Sequence, residues 1–378
     1  MASAASSRIS PSPTPRIGLF CPTLPPARGG LPDHTRSLAL ALAARGADAV
    51  VLGRTGNPEL LRPVPVMLGV RASAGPNGLL ASARRAGVEA FLVQYVPFLY
   101  ARFGIAPRLA IALRRIHDAG IRLAVFVHEP YVPFTRLPWL LTGWPMRWQF
   151  RAVVGAADLV YSPVPAFLEL ARKAARAGAM LRRAPTGSNI PVTCGSRQAA
   201  REALGLEDGE VAVGVFSPGA AGLRRQWLID AAAGLPAQPA VRWVFFGGGE
   251  APPEGFPGSA GIKLLGWLDA NAASEVFRAL DVAAGPFEDG LTLRRGSAMA
   301  ALAHGVALAS SRGPLFDPEL ESAALCAATA ADVAAGVRTL VGDPVRREAL
   351  ARRGRAWYEA HGSADVFAAQ LLADLGAS

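Results

Sequence analysis

The sequence predicts an α/β protein made of two βα halves that face each other across a cleft, and three observations lead to this fold class. At 378 residues the chain is longer than a single hydrophobic core usually becomes. Hydrophobic residues make up 51% of it and charged residues 18%, a balance typical of well-buried α/β domains. Short apolar runs alternate with helical segments, and the alternation restarts near the middle of the chain.

Charge and cysteine content limit the classes of partner. Basic residues exceed acidic ones by ten, and nearly all are arginine. This positive charge favours anionic partners such as nucleotide phosphates or an acidic membrane surface. We expect no nucleic acid, because the few aromatic residues do not interleave with the arginines as a single-strand binding surface requires. Three distant cysteines, Cys21, Cys194 and Cys326, form neither a disulfide framework nor a cysteine-rich zinc site and indicate a reducing, cytoplasmic compartment. No apolar run is long enough to span a bilayer, so the protein is expected to be soluble or peripheral at the inner face of the membrane.

The first half opens with a βαβ unit that follows a Ser-, Ala- and Pro-rich segment, 1–15, expected to be a disordered tail. The unit consists of a strand over 16–21, a Pro- and Gly-rich loop over 25–34, a helix over 35–45 and a strand over 49–52. Gly29 and Gly30 lie where backbone N–H groups could face a phosphate or a sugar, although a glycine pair alone is better explained by a flexible turn. Since Gly-x-Gly-x-x-Gly is absent, a nicotinamide-dependent enzyme is disfavoured.

Two further apolar runs, 90–93 and 123–127, end in polar clusters. Gln94 and Tyr95 follow the first, and His128, Glu129 and Tyr131 follow the second. Because the carboxyl ends of parallel strands line the ligand crevice of an open sheet, His128 is the best-placed histidine of the chain. Its imidazole could donate to a phosphate or sugar oxygen or move a proton, or could simply be fixed by a neighbouring carbonyl.

A tryptophan- and arginine-rich stretch over 137–151 follows. It suits a membrane interface, where tryptophan and arginine are favoured, but such a stretch is more often a core segment or the wall of an acceptor site. Pro145 argues against a single helix through this stretch.

The end of the first half is marked by a change in composition. A strand over 159–161 and a basic helix to about Arg183 precede the turn-rich segment 185–192, where we place the boundary between the halves. In the second half, strands are predicted over 211–216, 241–246, 262–265, 282–285 and 306–309, with helices between them and a helical remainder from about Thr329.

The chain is organised around the loop over 286–297, which joins a short buried strand to an Ala-rich helix. The start of such a helix exposes backbone N–H groups at the positive end of the dipole, Gly296 allows a ligand to approach, and Ser297 could cap the helix. Arg294 and Arg295 add two permanent positive charges, which suits a diphosphate. The alternative is a solvated basic loop.

These motifs, in this order, resemble glycosyltransferase family 4 and its relatives of the GT-B fold. The resemblance runs from about Arg16 to the end and is carried by the following segments: Gly29-Gly30, His128, Gly187-Ser188-Asn189-Ile190-Pro191, the basic pair Arg224-Arg225, Gly247-Gly248-Gly249, and Gly266-Trp267-Leu268. It implies two Rossmann-like domains, an N-terminal acceptor domain over 16–188 and a nucleotide-sugar domain over 189–360. The closing segment 361–378 would be a helix that packs back on the first domain.

The resemblance also assigns the site residues. Donor and diphosphate binding falls on Gly29, Gly30, Arg224, Arg225, Gly248, Arg294, Arg295, Gly296 and Ser297. The acceptor side falls on Asp33, His34, Gln94, Tyr95, Glu129 and Tyr131. The activity implied is transfer of a sugar from a nucleotide-diphosphate donor to an unidentified acceptor hydroxyl, with retention of configuration. No cofactor is expected, and the absence of an Asp-x-Asp motif favours a metal-independent reaction.

One departure from the family concerns its paired glutamates, whose positions fall on Thr292 and Ala300. The nearest carboxylates are Glu288 and Asp289, which with His128 become the candidate catalytic residues. A catalytically silent partner subunit that has kept the fold is therefore the alternative to an active transferase.

Overall fold

The computed structural model contains two parallel sheets, each covered by helices. It describes residues 15–376 except 28, 74, 133–136, 217–221, 238, 249–251, 253 and 258–260. Nearly all of the expected tail, the loop over 217–221 and Gly249 lie outside the described residues.

The first sheet has the order β3-β2-β1-β4-β5-β6-β7, with every pairing parallel. Its strands are β1 (Ile17–Phe20), β2 (Ala49–Leu52), β3 (Val66–Met67), β4 (Ala90–Tyr95), β5 (Arg122–Val127), β6 (Leu159–Ser162) and β7 (Met180–Arg183). Its helices are α1 (Gly30–Ala44), α2 (Leu79–Arg85), α3 (Pro97–Tyr100), α4 (Pro107–Asp118), α5 (Leu137–Gly155) and α6 (Pro165–Arg172), with a 3₁₀ turn over Pro58–Leu61.

The second sheet has the order β10-β9-β8-β11-β12-β13, again with every pairing parallel. Its strands are β8 (Val211–Phe216), β9 (Val241–Phe246), β10 (Gly261–Gly266), β11 (Val282–Gly285), β12 (Ala307–Ser311) and β13 (Leu325–Ala327). The helices are α7 (Arg197–Ala203), α8 (Arg225–Ala233), α9 (Ala270–Ala279), α10 (Gly296–Ala303), α11 (Ala330–Gly342), α12 (Pro344–Trp357) and α13 (Ala364–Gly376). A 3₁₀ turn spans Pro318–Ser322, and a π-helical turn over Tyr358–Gly362 joins the last two helices.

Apolar runs form the central strands because both faces of each sheet are covered. Every residue of β1, β2, β4 and β11 is buried, as in parallel sheets with helices on both sides. Several helices begin at capping side chains: Asp269 accepts hydrogen bonds from the backbone N–H groups of Asn271 and Ala272, both at 2.9 Å. The strands and caps therefore place the loops at defined strand ends.

The last helix returns to the first half. α13 packs on α1, and its Phe367, Ala368 and Leu371 are fully buried in the same core as β1 and β5. The Tyr161 hydroxyl at β6 donates to Asp374 at 2.9 Å. The two halves therefore share one C-terminal element.

Three predicted elements are corrected by the structure. The first helix begins at Gly30 rather than near 35, so Asp33 and His34 lie in its opening turns rather than in a loop. The basic helix ends at Arg172, and the residues before Arg183 form the edge strand β7 after a turn at Gly178, where φ is +81°. Pro145 lies inside a single helix, α5, because the buried face continues past it through Phe150.

Among the described residues, the structure contains no helix that is both long enough and apolar enough to cross a membrane.

Candidate active site at the switch points of the two sheets

Each sheet reverses its strand order at one point, between β1 and β4 in the first sheet and between β8 and β11 in the second. Ligands of open α/β sheets bind outside the carboxyl ends of the strands at such a switch point. The glycine pair Gly29 and Gly30 follows β1, and the arginine-bearing loops over 222–224 and 286–295 follow β8 and β11. The two switch points therefore gather most of the residues that the sequence singled out.

The loops after β8 and β11 are bonded to each other. Leu223 and Phe287 form an antiparallel bridge, flanked by hydrogen bonds from Arg224 N to the Pro286 carbonyl at 2.8 Å and from Glu288 N to the Gly222 carbonyl at 2.9 Å. This pairing fixes the segment entering α8 against the loop that leads to α10. Both helices thus begin at the carboxyl edge of the second sheet.

Arg294 and Arg295 share one carboxylate, that of Asp289. Arg294 also donates to Glu129 at 3.1 Å, and Glu129 belongs to the loop after β5 in the first half. Both guanidinium groups lie close to aromatic rings, Arg294 at 5.8 Å from the Phe167 centroid and Arg295 at 4.6 Å from that of Phe287. The arginine pair is therefore held between the two halves, each side chain only 21% exposed.

Arg224 and Arg225 differ in their surroundings. Arg224 donates to the Glu288 carbonyl at 3.0 Å and stacks over Trp227 at 4.5 Å, while Arg225 begins α8 and is exposed. A Cβ built on Gly222 would lie 3.3 Å from the Arg295 guanidinium, so the loop after β8 lies directly against the arginine pair. The two basic pairs therefore belong to one site.

The loop carrying Asp289 is tightly packed on the segment after β12. Gly290 has φ +90°, and a Cβ there would lie 2.6 Å from Gly313 N and 3.0 Å from the Phe316 Cβ. Only glycine fits both this backbone conformation and this space. The position of Asp289 is thus set by the backbone around it.

Helix α10 starts without a side-chain cap. Its N-cap is Arg295, with no side-chain cap hydrogen bond, and Ser297 is already the second helical residue. The prediction that Ser297 caps this helix is therefore wrong, because the helix begins two residues earlier than a cap at Ser297 requires. Gly296 faces Asn189, whose Oδ1 would lie 3.4 Å from an added Cβ.

Asn189 also links the halves. Its Nδ2 donates to Asp33 on α1 at 3.4 Å, and burial raises the pKa of Asp33 while Asn189 and Arg36 lower it. The Asn189 Oδ1 is buried and has no hydrogen-bond partner within the described part of the chain. Asp33, Asn189 and Gly296 therefore bring the start of α1 next to the start of α10.

Three buried polar side chains meet at the carboxyl ends of β4 and β5. The Gln94 Oε1 lies 3.2 Å from the His34 Nδ1 and 2.6 Å from the His128 Nε2, and all three residues are at most 5% exposed. Because an amide oxygen only accepts hydrogen bonds, both imidazoles donate to it, which fixes His34 with its proton on Nδ1 and His128 with its proton on Nε2. We call these residues the Gln94 cluster.

Burial determines the charge of both histidines. It lowers the pKa of His34 to about 4 despite the hydrogen bond to Gln94. It lowers the pKa of His128 well below its usual value, and the neighbouring His34 and Arg294 lower it further. Both rings are therefore neutral at pH 7, and the Nε2 of His128 is committed to Gln94 rather than to a ligand.

The other predicted site residues are more scattered. Gly29 precedes α1 with φ +143°, and Gly248 follows β9 with φ +131°. Tyr131 is half-buried under the Arg147 guanidinium at 4.2 Å, and Glu288 is exposed. Tyr95 is fully buried and its hydroxyl accepts from Gln149 at 3.2 Å, so the structure places it in the core rather than on an acceptor-facing surface.

The positions of the family's glutamates are filled by small, fully buried side chains. Thr292 and Ala300 are both 0% exposed, and the Thr292 hydroxyl finds no hydrogen-bond partner among the described residues. Within the described residues, no group of three or more His, Cys, Asp or Glu side chains could hold a metal ion.

Sequence reasoning missed Phe167, Trp227 and Asn189 as members of this site. Phe167 and Trp227 support guanidinium groups, and Asn189 was noted only as part of a boundary motif. Phe167 lies on a helix of the other half, so no local pattern connects it with Arg294.

No protein-family model and no curated protein sequence matches the chain. Solved structures match it nearly end to end. Anabaena HepE in complex with UDP and glucose gives a TM-score of 0.67 at 16% identity, covering 96% of this chain and 100% of that one. Sucrose-phosphate synthase from Thermosynechococcus elongatus gives 0.66 at 17% identity, covering 94% and 97%. WaaG, a glycosyltransferase involved in lipopolysaccharide biosynthesis, gives 0.65 at 12% identity, covering 96% and 100%. At these identities the likeness establishes a shared fold, the GT-B arrangement of two Rossmann-like domains.

Proposed function

We propose that the protein is a glycosyltransferase similar to family 4 that uses a nucleotide-diphosphate sugar. The observation that carries the proposal is the position of Arg294 and Arg295 at the start of α10, with Arg294 within ion-pair distance of Glu129 in the other half. A departing diphosphate needs fixed positive charge and N–H donors beside it, and this location offers both. That HepE, with the same fold, binds UDP supports a nucleotide sugar as the donor.

The carboxylates around the arginine pair have a positioning role in this proposal. Asp289 holds the two guanidinium groups side by side, and Glu129 is the second partner of Arg294. A diphosphate offers more negative charge and more acceptor atoms than either carboxylate, so it would take over hydrogen bonds now made to Glu129 and Asp289. Asp289 then acts through the arginines, rather than as the acid or base expected from the sequence.

The acceptor would meet the donor near the carboxyl ends of β4 and β5. His128 would contact the transferred sugar as a neutral ring, since its pKa is lowered well below its usual value by burial. Retention of configuration, metal independence and proton acceptance by the leaving phosphate oxygen belong to this proposal through the family resemblance.

The test is a panel of nucleoside diphosphates and nucleotide sugars. A ligand that binds only the native state raises the unfolding temperature, so at least one diphosphate should stabilise the protein and its sugar ester should be hydrolysed or transferred. No response to any diphosphate would contradict the proposal. Diphosphate binding without turnover would favour the silent partner subunit, which would be active only in a complex.

Arg295→Ala tests the arginine pair directly. Loss of a charge-assisted contact should weaken diphosphate binding by about 1.5–3 kcal/mol, or about 10- to 150-fold in Kd. Isothermal titration calorimetry measures this, with Arg352→Ala as the control because Arg352 is 72% exposed on α12 and pairs only with Glu348 among the described residues. Unchanged affinity in Arg295→Ala would show that Arg295 does not bind the diphosphate and would favour the alternative of a solvated basic loop.

A further inference from the structure

Exposed apolar side chains are concentrated in one part of the first half. Among the described residues, twelve large hydrophobic side chains are exposed, and six of these lie between residues 98 and 148. They are Phe98 (47% exposed), Phe103 (64%), Ile105 (37%), Ile111 (51%), Trp144 (68%) and Trp148 (59%). We call these six side chains the aromatic surface. Large apolar side chains that are exposed close together on a protein surface usually mark an interaction site, so this surface indicates a partner.

The elements that carry five of these six residues, all except Phe98, pack against each other. Trp144, Trp148 and Arg151 follow the spacing i, i+4 and i+7 and share the exposed face of α5, opposite the buried Met146 and Phe150. The Gln149 Nε2 donates to the Gly104 carbonyl at 3.2 Å, which holds the loop between α3 and α4 against α5. α4 also packs on α5. Phe103 and Ile105, on either side of Gly104, are therefore neighbours of the tryptophan face.

The same elements are strongly basic. Segments 97–118 and 137–155 contain six arginines and a single acidic residue, Asp118. That acid already pairs with Arg114 at 2.9 Å. Arg102, Arg108 and Arg151 are exposed, and Arg102 lies 5.5 Å from the centroid of the Phe103 ring. In the part of the chain that the structure describes, these three arginines form no ion pair, so the aromatic surface is bordered by cations without carboxylate partners there.

We propose that the aromatic surface docks on an anionic lipid bilayer. Tryptophan and phenylalanine rings lie at the headgroup level of a bilayer, and arginines beside them attract acidic headgroups. A second copy of the chain would present the same arginines and be repelled, whereas an acidic lipid surface complements them. This inference concerns binding alone and does not depend on the transfer reaction.

The position of the surface would give such docking a function. α3 begins two residues after β4 ends, and α5 follows the loop that leaves β5 beyond His128. Tyr131 in that loop lies under Arg147 of α5. The docked bilayer would therefore lie beside the part of the first half where an acceptor is expected.

The experiment is co-sedimentation of the full chain with vesicles. Wild-type protein should bind vesicles of phosphatidylcholine and phosphatidylglycerol, bind pure phosphatidylcholine far more weakly, and be released by high salt. The double variant Trp144→Ser/Trp148→Ser should lose about tenfold or more in partitioning. The double variant Arg102→Gln/Arg108→Gln should lose about 25-fold, at about fivefold for each arginine.

Matched controls lie in the second half. Trp267→Ser and Arg352→Gln replace an exposed tryptophan (52%) and an exposed arginine (72%) elsewhere and should leave vesicle binding unchanged. Phe103→Ser changes a second apolar side chain of the aromatic surface, outside α5. All of these variants should keep the wild-type unfolding temperature, because the replaced side chains are exposed. Failure of the wild-type protein to sediment with anionic vesicles at low salt would overturn the proposal, as would equal losses in the controls. A dimer that forms in solution and is lost in the tryptophan variant would assign the surface to a second copy instead.

Discussion

At the scale of single residues, the two buried histidines of the Gln94 cluster share one hydrogen-bond acceptor, the amide oxygen of Gln94. The Oε1 of Gln94 accepts from His34 and His128, and neither ring can leave its tautomer without losing that bond. A proton added to either ring would create a charge in a site that is almost fully buried. The cluster is therefore stable only while both rings are neutral.

A pH dependence of stability follows. The pKa of His34 falls from its ordinary 6.5 to about 4 on folding, so between these values the unfolded chain binds the proton and the native protein does not. The stability that the native protein gains from keeping His34 neutral is fully present above pH 6.5 and is lost as the pH falls toward 4. Between pH 7 and 4.5 this amounts to about 2–3 kcal/mol. Urea unfolding at both pH values should show a correspondingly smaller difference for His34→Gln than for the wild type. His361→Gln, at an exposed position, serves as the control, and an equal difference in all three proteins would contradict the prediction.

The sequence predicts that these three residues belong to the site, but it does not predict the hydrogen bonds between them. His34, Gln94 and His128 were each singled out because they follow strands or a glycine loop, and the structure brings them together. Their sharing of one acceptor depends on side-chain rotamers across separate elements, up to 94 positions apart in sequence, which no local pattern encodes. The two ion pairs of Asp289 depend on side-chain rotamers in the same way, so the sequence placed this carboxylate near the site without predicting its arginine partners.

At the scale of elements, the loop from β11 to α10 depends on Gly290. Its positive φ and its contact with Gly313 leave no space for a Cβ, and Asp289 precedes it directly. Any side chain at 290 must move the loop that holds the arginine pair.

Gly290→Ala should therefore destabilise the protein by about 1–3 kcal/mol through backbone strain and displacement of the loop. Gly342→Ala at the end of α11 is the matched control, because an added Cβ there meets nothing within 4 Å. Its effect should stay within about 0.5 kcal/mol. Thermal or chemical unfolding measures both changes, and equal stability of the two variants would show that the loop tolerates a Cβ.

Strands were predicted from sequence more accurately than helices. Buried parallel strands appear as continuous apolar runs, so β1, β5, β8 and β9 lie within a residue of their expected bounds. The strand β3 was missed because it has only two residues, and the edge strand β7 was missed because its two arginines interrupt the apolar run. Packing overrode local preference at Pro145, which lies inside α5.

At the scale of the whole molecule, a buried ion pair joins the two halves. Arg183 at the end of β7 pairs with Asp317, which is 1% exposed, and with Glu319 at 2.5 Å. Burial raises the pKa of Asp317, and Arg183 partly offsets this. The carboxylate therefore depends on its partner from the other half.

Arg183→Gln should lower the free energy of unfolding by about 3–5 kcal/mol, because it leaves a buried carboxylate without its cation. Adding Asp317→Asn should recover part of the loss. Arg62→Gln, which breaks the exposed pair with Glu59, should cost no more than about 1 kcal/mol. Chemical denaturation of the three variants measures these differences, and similar values for Arg183→Gln and Arg62→Gln would show that the contact between the halves contributes little.

The general architecture followed from the sequence because βα alternation allows few topologies. The contacts between the halves did not, since Arg294–Glu129 and Arg183–Asp317 join positions 165 and 134 residues apart.

The return of α13 to the first half has a consequence for synthesis on the ribosome. Phe367 inserts between Phe126 and Tyr161, with ring centroids 5.1 and 5.0 Å away, so the first half lacks part of its interior until the final helix has been translated. N-terminal domains generally fold first as a nascent chain emerges. In this protein, the apolar groove beside α1 stays open to chaperones and to nonspecific contacts while the entire second half is being made.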